Sequence, residues 1–376
     1  MRIAVPLEQG SGERRVAITP KVAGELVKGS LEISVQHDGG HKAGFFDKEY
    51  EAAGAAVVDD PIPGAGAVVL VGPPLPSFLD SFDQGSVVIG LLAPFTDADI
   101  VHKLAERKLT AFAFEAMPRT TLAQSMDALS SQATAAGYAA VLAAALESTR
   151  FLPMFTTAAG TIPPARVLVL GTGVAGLQAI ATARRLGAVV SAYDIRPEAA
   201  EQVESLGARF VSAPTEEDAS TEGGYAKEVG EDTQKRQLEA LAPHVAESDI
   251  VIATAQIPGR PAPLLVTGPM VEAMRPGSVV IDVAAPTGGN VEVTVAGETV
   301  DCRGTAVMGP LDLPSRVAGD ASEMYARNVA ELLKLITEDG DLKLDFDHEI
   351  VDGACIAHAG EIRNAYSRRV AGMVEL

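Results

Sequence analysis

The chain has 376 residues, 47% of them hydrophobic, so it is long enough to form two domains with buried cores. Its formal net charge of −20 argues against a nucleic-acid partner, which needs a positive surface, and against binding to anionic lipids. The two cysteines, Cys302 and Cys355, have no C-x-x-C spacing, which argues against a disulfide framework or a zinc site and favours a reducing cytoplasm.

The N-terminal part alternates strand-like and helical patterns, which is typical of an α/β domain with a parallel sheet. The sequence opens without the apolar core of a signal peptide. Thr19 followed by Pro20 predicts a helix start, with threonine as N-cap and proline as the first helical residue. Strand-like runs occur at residues 1–6, 31–36, 67–71, 86–92 and 109–114.

A helical pattern covers about 123–151 and leads on to Pro163 and Pro164, which break the pattern just before the glycine motif at Gly171. Its least polar part, about 133–146, is judged too short and too interrupted to span a bilayer, so we expect no direct membrane insertion. Further strand-like runs follow at 167–170, 189–193, 250–254, 278–282 and near 305–308.

After Pro314 a helical pattern at 321–337 is predicted to rejoin the first domain, a separate C-terminal cap being the alternative. The predicted fold class is therefore α/β, with two Rossmann-like doubly wound parallel-sheet domains joined by long helices. The first would comprise 1–127 plus about 320–376, and the second, with a dinucleotide motif, 128–319.

The most informative motif is G-x-G-x-x-G after the hydrophobic run 167–170. Gly171 would allow the tight turn, Gly173 would let the backbone approach a pyrophosphate, and Gly176 would let helix and strand pack closely. The helix N-terminus would offer N–H groups and a positive dipole end to the phosphates. A structural glycine turn is the alternative, but the strand, helix and acid in sequence favour dinucleotide binding.

Asp194 ends the second strand-like run, at the position of an acid that binds the adenosine ribose. A carboxylate there would repel a 2′-phosphate, which favours NAD(H) over NADP(H). Arg196 is the opposing signal, since arginine can bind that phosphate, and we interpret it as a surface or pyrophosphate-side group.

Residues 212–241 are acidic and polar and are interrupted by Gly223, Gly224 and Tyr225. A hinged lid over a bound nucleotide and a solvated loop with a surface helix fit this pattern equally well.

A second polar group lies where a long helix should begin. Gln124, Asp127 and Ser130 are spaced i, i+3, i+6 and would share roughly one helix face. Arg119 could pair with Asp127 or bind a ligand amide or phosphate, although helix capping and ordinary surface polarity also fit.

This segment resembles the NAD(H)-binding alpha-1 type subunits of proton-translocating NAD(P) transhydrogenases, in the alanine dehydrogenase/transhydrogenase superfamily. The resemblance covers nearly the whole chain. The segments that carry it are 12–20, the Arg119–Asp127 loop, 156–166 leading into the glycine motif, 223–228, 257–263, 275–282, 288–290 and 314–322.

The resemblance implies a site for NAD(H) on this chain, with residues assigned to each part of the cofactor. By it, Arg119, Gln124, Asp127 and Ser130 surround the nicotinamide and its ribose as the catalytic residues, with Thr120 and Thr121 beside them. Gly171, Gly173, Val174, Ala175 and Gly176 would face the pyrophosphate, and Asp194, Ile195 and Arg196 the adenosine ribose. Gly224, Tyr225 and Gln237 would belong to the lid, and Ala255 and Gln256 to the adenine side.

The resemblance further implies a homodimer that passes hydride between NADH and NADP⁺ bound on a partner subunit. That transfer would be coupled to proton translocation by a membrane-spanning partner. The chain would then be cytoplasmic and peripherally associated with the inner membrane through its partners. Two departures are Gln256, where an apolar residue is expected, and Pro286, where an acid is expected.

Two other functions are weighed against this one. Alanine dehydrogenase shares the architecture, and Arg15 matches its substrate-binding arginine, but its lysine and histidine positions are Leu70 and Leu91 here. Without an acid–base pair, direct amino-acid oxidation loses its proton acceptor. The other alternative is a non-catalytic NAD(H)-sensing module.

Overall fold

The computed structural model describes residues 1–212, 231–257 and 260–373. It divides into two compact units, Met1–Gln132 with Pro314–Leu376, and Ala133–Leu313. The first element group comprises β1 Arg2–Val5, α1 Pro20–Lys28, β2 Glu32–Gln36, α2 Asp47–Ala52, β3 Ala56–Val58, β4 Ala67–Val69, β5 Val87–Gly90, α3 Ala98–Glu106, β6 Thr110–Ala113 and α4 Ala128–Glu147.

The second unit continues from α4. It contains β7 Phe155–Thr157, β8 Gly160–Ile162, β9 Arg166–Leu170, α5 Val174–Arg185, β10 Val189–Tyr193, α6 Ala199–Ser205, β11 Arg209–Val211, α7 Glu231–Glu247, β12 Ile250–Ala253, α8 Gly268–Glu272, β13 Val279–Asp282, β14 Thr299–Cys302 and β15 Thr305–Met308.

The C-terminal segment returns to the first unit. It contains α9 Ala318–Ile336, β16 Thr337–Glu338, β17 Asp341–Leu342, α10 Glu349–Ala354, β18 Cys355–His358, β19 Glu361–Ile362 and α11 Ala365–Val370. Strand β18 pairs with β6, Cys355 lying opposite Phe112, so the C-terminal segment extends the first sheet.

The first unit has an eight-stranded sheet in the order β19-β18-β6-β5-β4-β1-β2-β3. The six strands from β6 to β3 are parallel, and the order reverses at β1, as in doubly wound sheets. Both pairings of β18 are antiparallel. The helix start predicted at Thr19–Pro20 is confirmed, because the Thr19 side chain accepts from the Val22 N–H and Pro20 is the first helical residue.

The second unit has a seven-stranded sheet in the order β11-β10-β9-β12-β13-β15-β14. Only the β14–β15 pairing in this sheet is antiparallel among the described strands. The predicted α/β class with two mostly parallel Rossmann-like sheets is confirmed. The antiparallel edge strands were not predicted, because a short run of alternating residues does not show its direction.

Continuous hydrophobic strands explain the parallel sheets, since helices cover both of their faces. In β9, Val167 and Val169 belong to one core cluster, whereas Leu168 and Leu170 belong to the cluster on the opposite face. Each strand therefore buries side chains in both directions and needs no polar face.

Helix α4 is the one described helix long and apolar enough to cross a membrane. The expectation that its apolar stretch is too short was therefore wrong, because the helix extends over 20 residues. Length and composition are weak evidence for a span, since buried core helices pass the same test. Ala140, Val141 and Ala144 of α4 are packed in the same core cluster as Val167 and Val169 of β9.

Candidate functional site

The glycine turn follows the buried strand β9. Gly171 has φ +89°, a left-handed conformation that favours glycine, and its N–H donates to the Tyr193 carbonyl at 2.8 Å. A Cβ on Gly171 would lie 2.9 Å from the Ala255 backbone nitrogen. This glycine is therefore required both by the turn and by the close approach of the loop after β12.

The other two glycines of the motif have different surroundings. A Cβ on Gly176 would lie 1.9 Å from the Gly171 carbonyl oxygen, so only glycine lets α5 pack this tightly against the turn. Gly173, the N-cap of α5, is exposed, has φ −70°, and would place a Cβ in open space. The fold itself does not need a glycine at position 173, and a ligand that approaches the backbone does.

A fourth glycine packs against the same turn. A Cβ on Gly137, in α4, would lie 2.1 Å from the Ala175 carbonyl oxygen in the first turn of α5. Helix α4 therefore supports the N-terminus of α5 by direct backbone contact. The sequence motif did not indicate this residue, because it lies 34 positions before Gly171.

Asp194 is buried at the end of β10 and holds the glycine turn. Its Oδ2 accepts from the Thr172 N–H at 2.8 Å and from Thr172 Oγ1 at 2.9 Å. Its Oδ1 accepts from the Arg196 N–H and Nε, both at 2.9 Å, and Oδ2 also accepts from Arg196 Nη2 at 2.9 Å. Burial raises the pKa of Asp194, but hydrogen bonds from Arg196 and Thr172 outweigh it and lower the pKa below its ordinary value.

Of the two alternatives predicted for Arg196, a surface group or a pyrophosphate-side group, the structure contradicts the first and does not test the second. Its guanidinium is largely buried against Asp194, and hydrogen bonding to that carboxylate raises the pKa of Arg196. Ile195, between the two, is half-buried. The two charges neutralise each other at the strand end, which the sequence spacing could not show.

Gln237 is buried in α7 and its Nε2 donates to the Tyr193 hydroxyl at 2.7 Å. It thus packs against β10, which corrects its assignment to a mobile lid. Burial raises the pKa of Tyr193 to about 12. Gly224 and Tyr225, the other predicted lid residues, lie outside the described residues.

The loop after β12 carries Ala255 and Gln256, the predicted adenine-side residues. Buried Asn290 pairs with Ala255 through both of its amide atoms: Oδ1 accepts from the Ala255 N–H at 3.0 Å, and Nδ2 donates to the Ala255 carbonyl at 2.8 Å. Gln256 itself is exposed, as is Pro286. Asn290 lies in one of the segments that carry the family resemblance, but its fixing role was not predicted.

In the first unit, the polar segment before α4 is not one helix face. Gln124 is exposed in a 3-10 helix, Thr121–Met126. Asp127 follows it and caps α4, since its carboxylate accepts from the Ser130 N–H at 2.9 Å and Ser130 Oγ at 2.6 Å. The prediction of a shared helix face was therefore wrong, because the 3-10 helix ends at Met126 and the Asp127 carboxylate caps a new helix, α4.

Arg119 and Thr120 precede this segment. Partial desolvation lowers the pKa of Arg119, and the charge of Asp127 acts in the opposite direction. Thr120 Oγ1 is shielded from solvent and has no hydrogen-bond partner among the described residues. An orphaned hydroxyl of this kind is unfavourable unless a ligand or water supplies the missing partner. Thr121 is exposed beside it.

The positions that distinguish a direct dehydrogenase are apolar or already paired. Leu70 is fully buried in an apolar cluster, and Leu91 packs against another. Arg15 donates to both Glu13 carboxylate oxygens, at 2.8 and 2.6 Å, and to Gln132 Oε1 at 2.8 Å. The leucines offer no proton acceptor, and the arginine is bound to an internal carboxylate.

Comparison with known proteins assigns the chain to a family. The chain matches the models for the alanine dehydrogenase/PNT N-terminal domain over residues 4–136 and C-terminal domain over residues 140–365. The chain belongs to the alanine dehydrogenase/PNT family.

Within that family the chain is similar to transhydrogenase subunits. It is 45% identical to the first part of NAD(P) transhydrogenase subunit alpha from Rhodospirillum rubrum, over 96% of this chain and 97% of that protein. It is 44% identical to the same part of subunit alpha from Rickettsia prowazekii, over 97% of this chain and 96% of that protein. The crystal structure of transhydrogenase from Sinorhizobium meliloti matches with a TM-score of 0.88 and 42% identity, over 96% of this chain and all of that one.

Alanine dehydrogenases are more distant, at 29% identity for the Bacillus subtilis and Halomonas elongata enzymes. The predicted resemblance to alpha-1 type subunits of NAD(P) transhydrogenase is thereby confirmed. The apolar residues Leu70 and Leu91 agree with similarity to the transhydrogenases rather than to the alanine dehydrogenases.

Proposed function

We propose that this chain binds NADH and orients it for hydride transfer to NADP⁺ held by a partner subunit. The observation that carries the proposal is the glycine turn. Gly173 lies at the N-terminus of α5 with open space where a Cβ would be, and Asp194 lies at the end of the next strand. The similarity to transhydrogenase subunits supports NADP⁺ on a partner subunit as the hydride acceptor.

The polar groups of the chain fit NAD(H). The N-terminal turn of α5 would bind the pyrophosphate, because helix N-termini offer N–H donors and a favourable dipole. Thr120, with its orphaned hydroxyl, is proposed to bond the nicotinamide end of the cofactor. When bound, the dihydronicotinamide supplies the hydride.

Coenzyme selectivity would depend on the Asp194–Arg196 pair. The carboxylate already accepts five hydrogen bonds, so a ribose hydroxyl would replace one contact from Arg196. A 2′-phosphate would instead meet a carboxylate whose lowered pKa keeps it ionised. We therefore infer a preference for NAD(H) over NADP(H).

The task of Arg119, Gln124, Asp127 and Ser130 would be orientation, since hydride transfer needs reacting carbons within about 3–3.5 Å. Asp127 fixes the start of α4 and leaves Gln124 exposed on the preceding turn. No proton has to be removed in such a transfer, which fits the leucines at positions 70 and 91.

The partners follow from the names of the relatives, which are subunits of a larger transhydrogenase. We propose an NADP(H)-binding subunit and a membrane-spanning subunit that couples hydride transfer to proton translocation. The chain would then work on the cytoplasmic face of the inner membrane, bound through those partners.

We also propose a homodimer, formed through the β7–β8 hairpin. All six residues of the two strands are exposed, and the ring of Phe155 in β7 contacts that of Phe151, with ring centroids 4.6 Å apart. An isolated two-stranded hairpin is marginal in water, and its apolar side chains favour burial. The occupant that fits is a second copy of this chain, which presents the same surface.

The dimer is tested by sedimentation equilibrium of the wild type and of Phe155→Ser with Ile162→Ser. A dimeric wild type and a monomeric double variant are expected. Leu75→Ser, at an exposed apolar residue of the first unit, is the matched control and should remain dimeric. A monomeric wild type, or a dimeric double variant, would contradict the proposed interface.

The activity is tested by mixing the chain with an NADP(H)-binding transhydrogenase subunit and following NADPH-dependent reduction of an optically distinct NAD⁺ analogue. Turnover that requires both proteins is expected. NADH oxidation by pyruvate and ammonia alone would instead identify a direct dehydrogenase. Tight NADH binding without any turnover would identify a sensing module.

A further inference from the structure

The segment that carries Gln124 has few hydrogen bonds of its own, although Ala123 and Met126 bury their side chains in the core. It is a 3-10 helix, Thr121–Met126, with long backbone hydrogen bonds such as the Asp127 N–H to the Gln124 carbonyl at 3.3 Å. Short 3-10 helices have poorer hydrogen-bond geometry than α-helices. The core holds the apolar side of the segment, so side chains from outside must fix its polar backbone groups if Gln124 is to have one orientation.

Asn328 of α9 supplies that fixing contact. It is 8% exposed, and its Nδ2 donates to the Ser125 carbonyl at 2.8 Å. Its Oδ1 accepts from Ser131 Oγ at 2.8 Å. One buried amide thus ties the residue after Gln124 to the first turn of α4, on either side of Asp127.

The contact continues into a buried polar network. Ser131 Oγ accepts from Gln132 Nε2 at 3.1 Å, and that nitrogen also donates to the Ala321 carbonyl at 3.0 Å. Gln132 Oε1 in turn accepts from Arg15 at 2.8 Å. The Ser131 hydroxyl is therefore held from both sides, which fixes the acceptor side of Asn328.

Asn328 also reaches the surface from which Gln124 projects. Gln124, Ser125, Ser131 and Asn328 line one groove of about 640 Å³. A change at Asn328 would therefore be transmitted to the predicted nicotinamide contact without touching the cofactor.

We propose that Asn328 is a positioning residue for hydride transfer, acting by holding the Gln124 segment through the Ser125 carbonyl. This inference rests on the proposed function. The position needs a donor and an acceptor on one short side chain, which an amide provides. Aspartate keeps the size and the acceptor but places a carboxylate oxygen against the Ser125 carbonyl.

The test compares Asn328→Ala and Asn328→Asp with Val329→Ala, a core substitution at the next residue of α9 that removes only apolar packing. Three quantities are measured: amide hydrogen exchange at residues 121–127, the dissociation constant for NADH, and the single-turnover rate of hydride transfer with an NADP(H)-binding subunit. The exchange measurement does not depend on activity.

Both Asn328 variants should raise exchange at residues 121–127 by about tenfold, since the segment opens locally more often. Hydride transfer should slow by about 10- to 100-fold, because misplacement by an ångström is enough for that loss. NADH affinity should change by less than about threefold. Val329→Ala should lower the melting temperature and leave all three quantities near wild type.

Unchanged exchange in both Asn328 variants would overturn the positioning role whatever the activity. Raised exchange with wild-type hydride transfer would overturn it too, as would a parallel loss of rate and affinity. A wild-type chain that binds NADH and transfers no hydride would overturn the proposed function instead. The exchange data would then still show whether Asn328 fixes the segment.

Discussion

Gly173 and Gly176 make a sharp test of the proposed site, because the proposal assigns Gly173 to a ligand, whereas the fold itself requires Gly176. A Cβ at position 176 would lie 1.9 Å from the Gly171 carbonyl oxygen, whereas ordinary contacts begin at 3.4 Å. The turn or helix α5 must therefore move by about 1.5 Å in Gly176→Ala. Overpacking of this kind costs about 1–3 kcal/mol.

Gly173→Ala should behave in the opposite way. With φ −70° and no described residue within 4 Å of the new Cβ, the folded state accepts alanine without strain. Loss of backbone freedom in the unfolded chain should make the variant slightly more stable, by about 0.4–1 kcal/mol. The methyl group would instead occupy the space through which we propose that a pyrophosphate approaches the backbone.

The expected loss of NADH affinity in Gly173→Ala follows from one broken hydrogen bond to a charged phosphate. Such a bond contributes about 1.5–3 kcal/mol, which corresponds to about a 10- to 150-fold increase in Kd. The assays are isothermal titration calorimetry with NADH and thermal unfolding without nucleotide. Gly176→Ala should lower Tm by several degrees, about 2–4 °C per kcal/mol in a unit of this size.

The reasoning would be refuted by the converse pattern. If Gly173→Ala bound NADH like the wild type, the open space at that residue would not be a pyrophosphate site. If Gly176→Ala had the wild-type Tm, the close packing of α5 on the turn would not be a real constraint.

Three further predictions concern charged groups. Asp194→Ala should weaken NADH binding and, by freeing Arg196, reduce the preference over NADPH by about tenfold or more; titrations that give unchanged selectivity would remove Asp194 from that role. Asp127→Asn keeps a helix cap, so we expect wild-type Tm with hydride transfer slowed far more than NADH binding is weakened; equal losses in single-turnover rate and affinity would make the residue a general binding element. Burial raises the pKa of Glu8 from 4.5 to about 7, so its contribution to stability is complete below about pH 4.5 and is lost as the pH rises through about 7. Glu8→Gln should therefore flatten the pH dependence of urea unfolding over that range, by up to about 3 kcal/mol, and a wild-type slope would contradict it.

Much of the fold was predictable, because hydrophobic runs in a parallel sheet are buried on both faces and stand out from the helical patterns between them. The glycine motif was readable for a similar reason, since its three positions follow directly from strand, turn and helix. What the runs did not reveal was direction, so the antiparallel pairing of β18 with β6 was missed.

The site was predicted less well, because the spacing of residues in the sequence does not determine which side chains form hydrogen bonds with each other. Gln124, Asp127 and Ser130 suggested one helix face, but the Asp127 carboxylate caps α4 and breaks the periodicity. Arg196 was interpreted as a surface or pyrophosphate-side group, but both its backbone N–H and its guanidinium donate to the Asp194 carboxylate two residues earlier.

Other contributors lie far away in sequence from the residues that they hold. Asn290 fixes Ala255, and Asn328 fixes Ser125, each through an amide that reads as ordinary polarity in the sequence. Gly137 supports Ala175 by having no side chain at all. Such roles depend on tertiary contact, which local pattern does not encode.

The central claim is that hydride passes directly from NADH on this chain to NADP⁺ on a partner. The most direct measurement follows deuterium from NADH labelled at the transferred C4 position, in a mixture of the chain and an NADP(H)-binding transhydrogenase subunit in ordinary water. The account predicts that the NADPH formed carries the deuterium and that none is formed when either protein is left out. NADPH without the label, or no NADPH despite bound NADH, would contradict it.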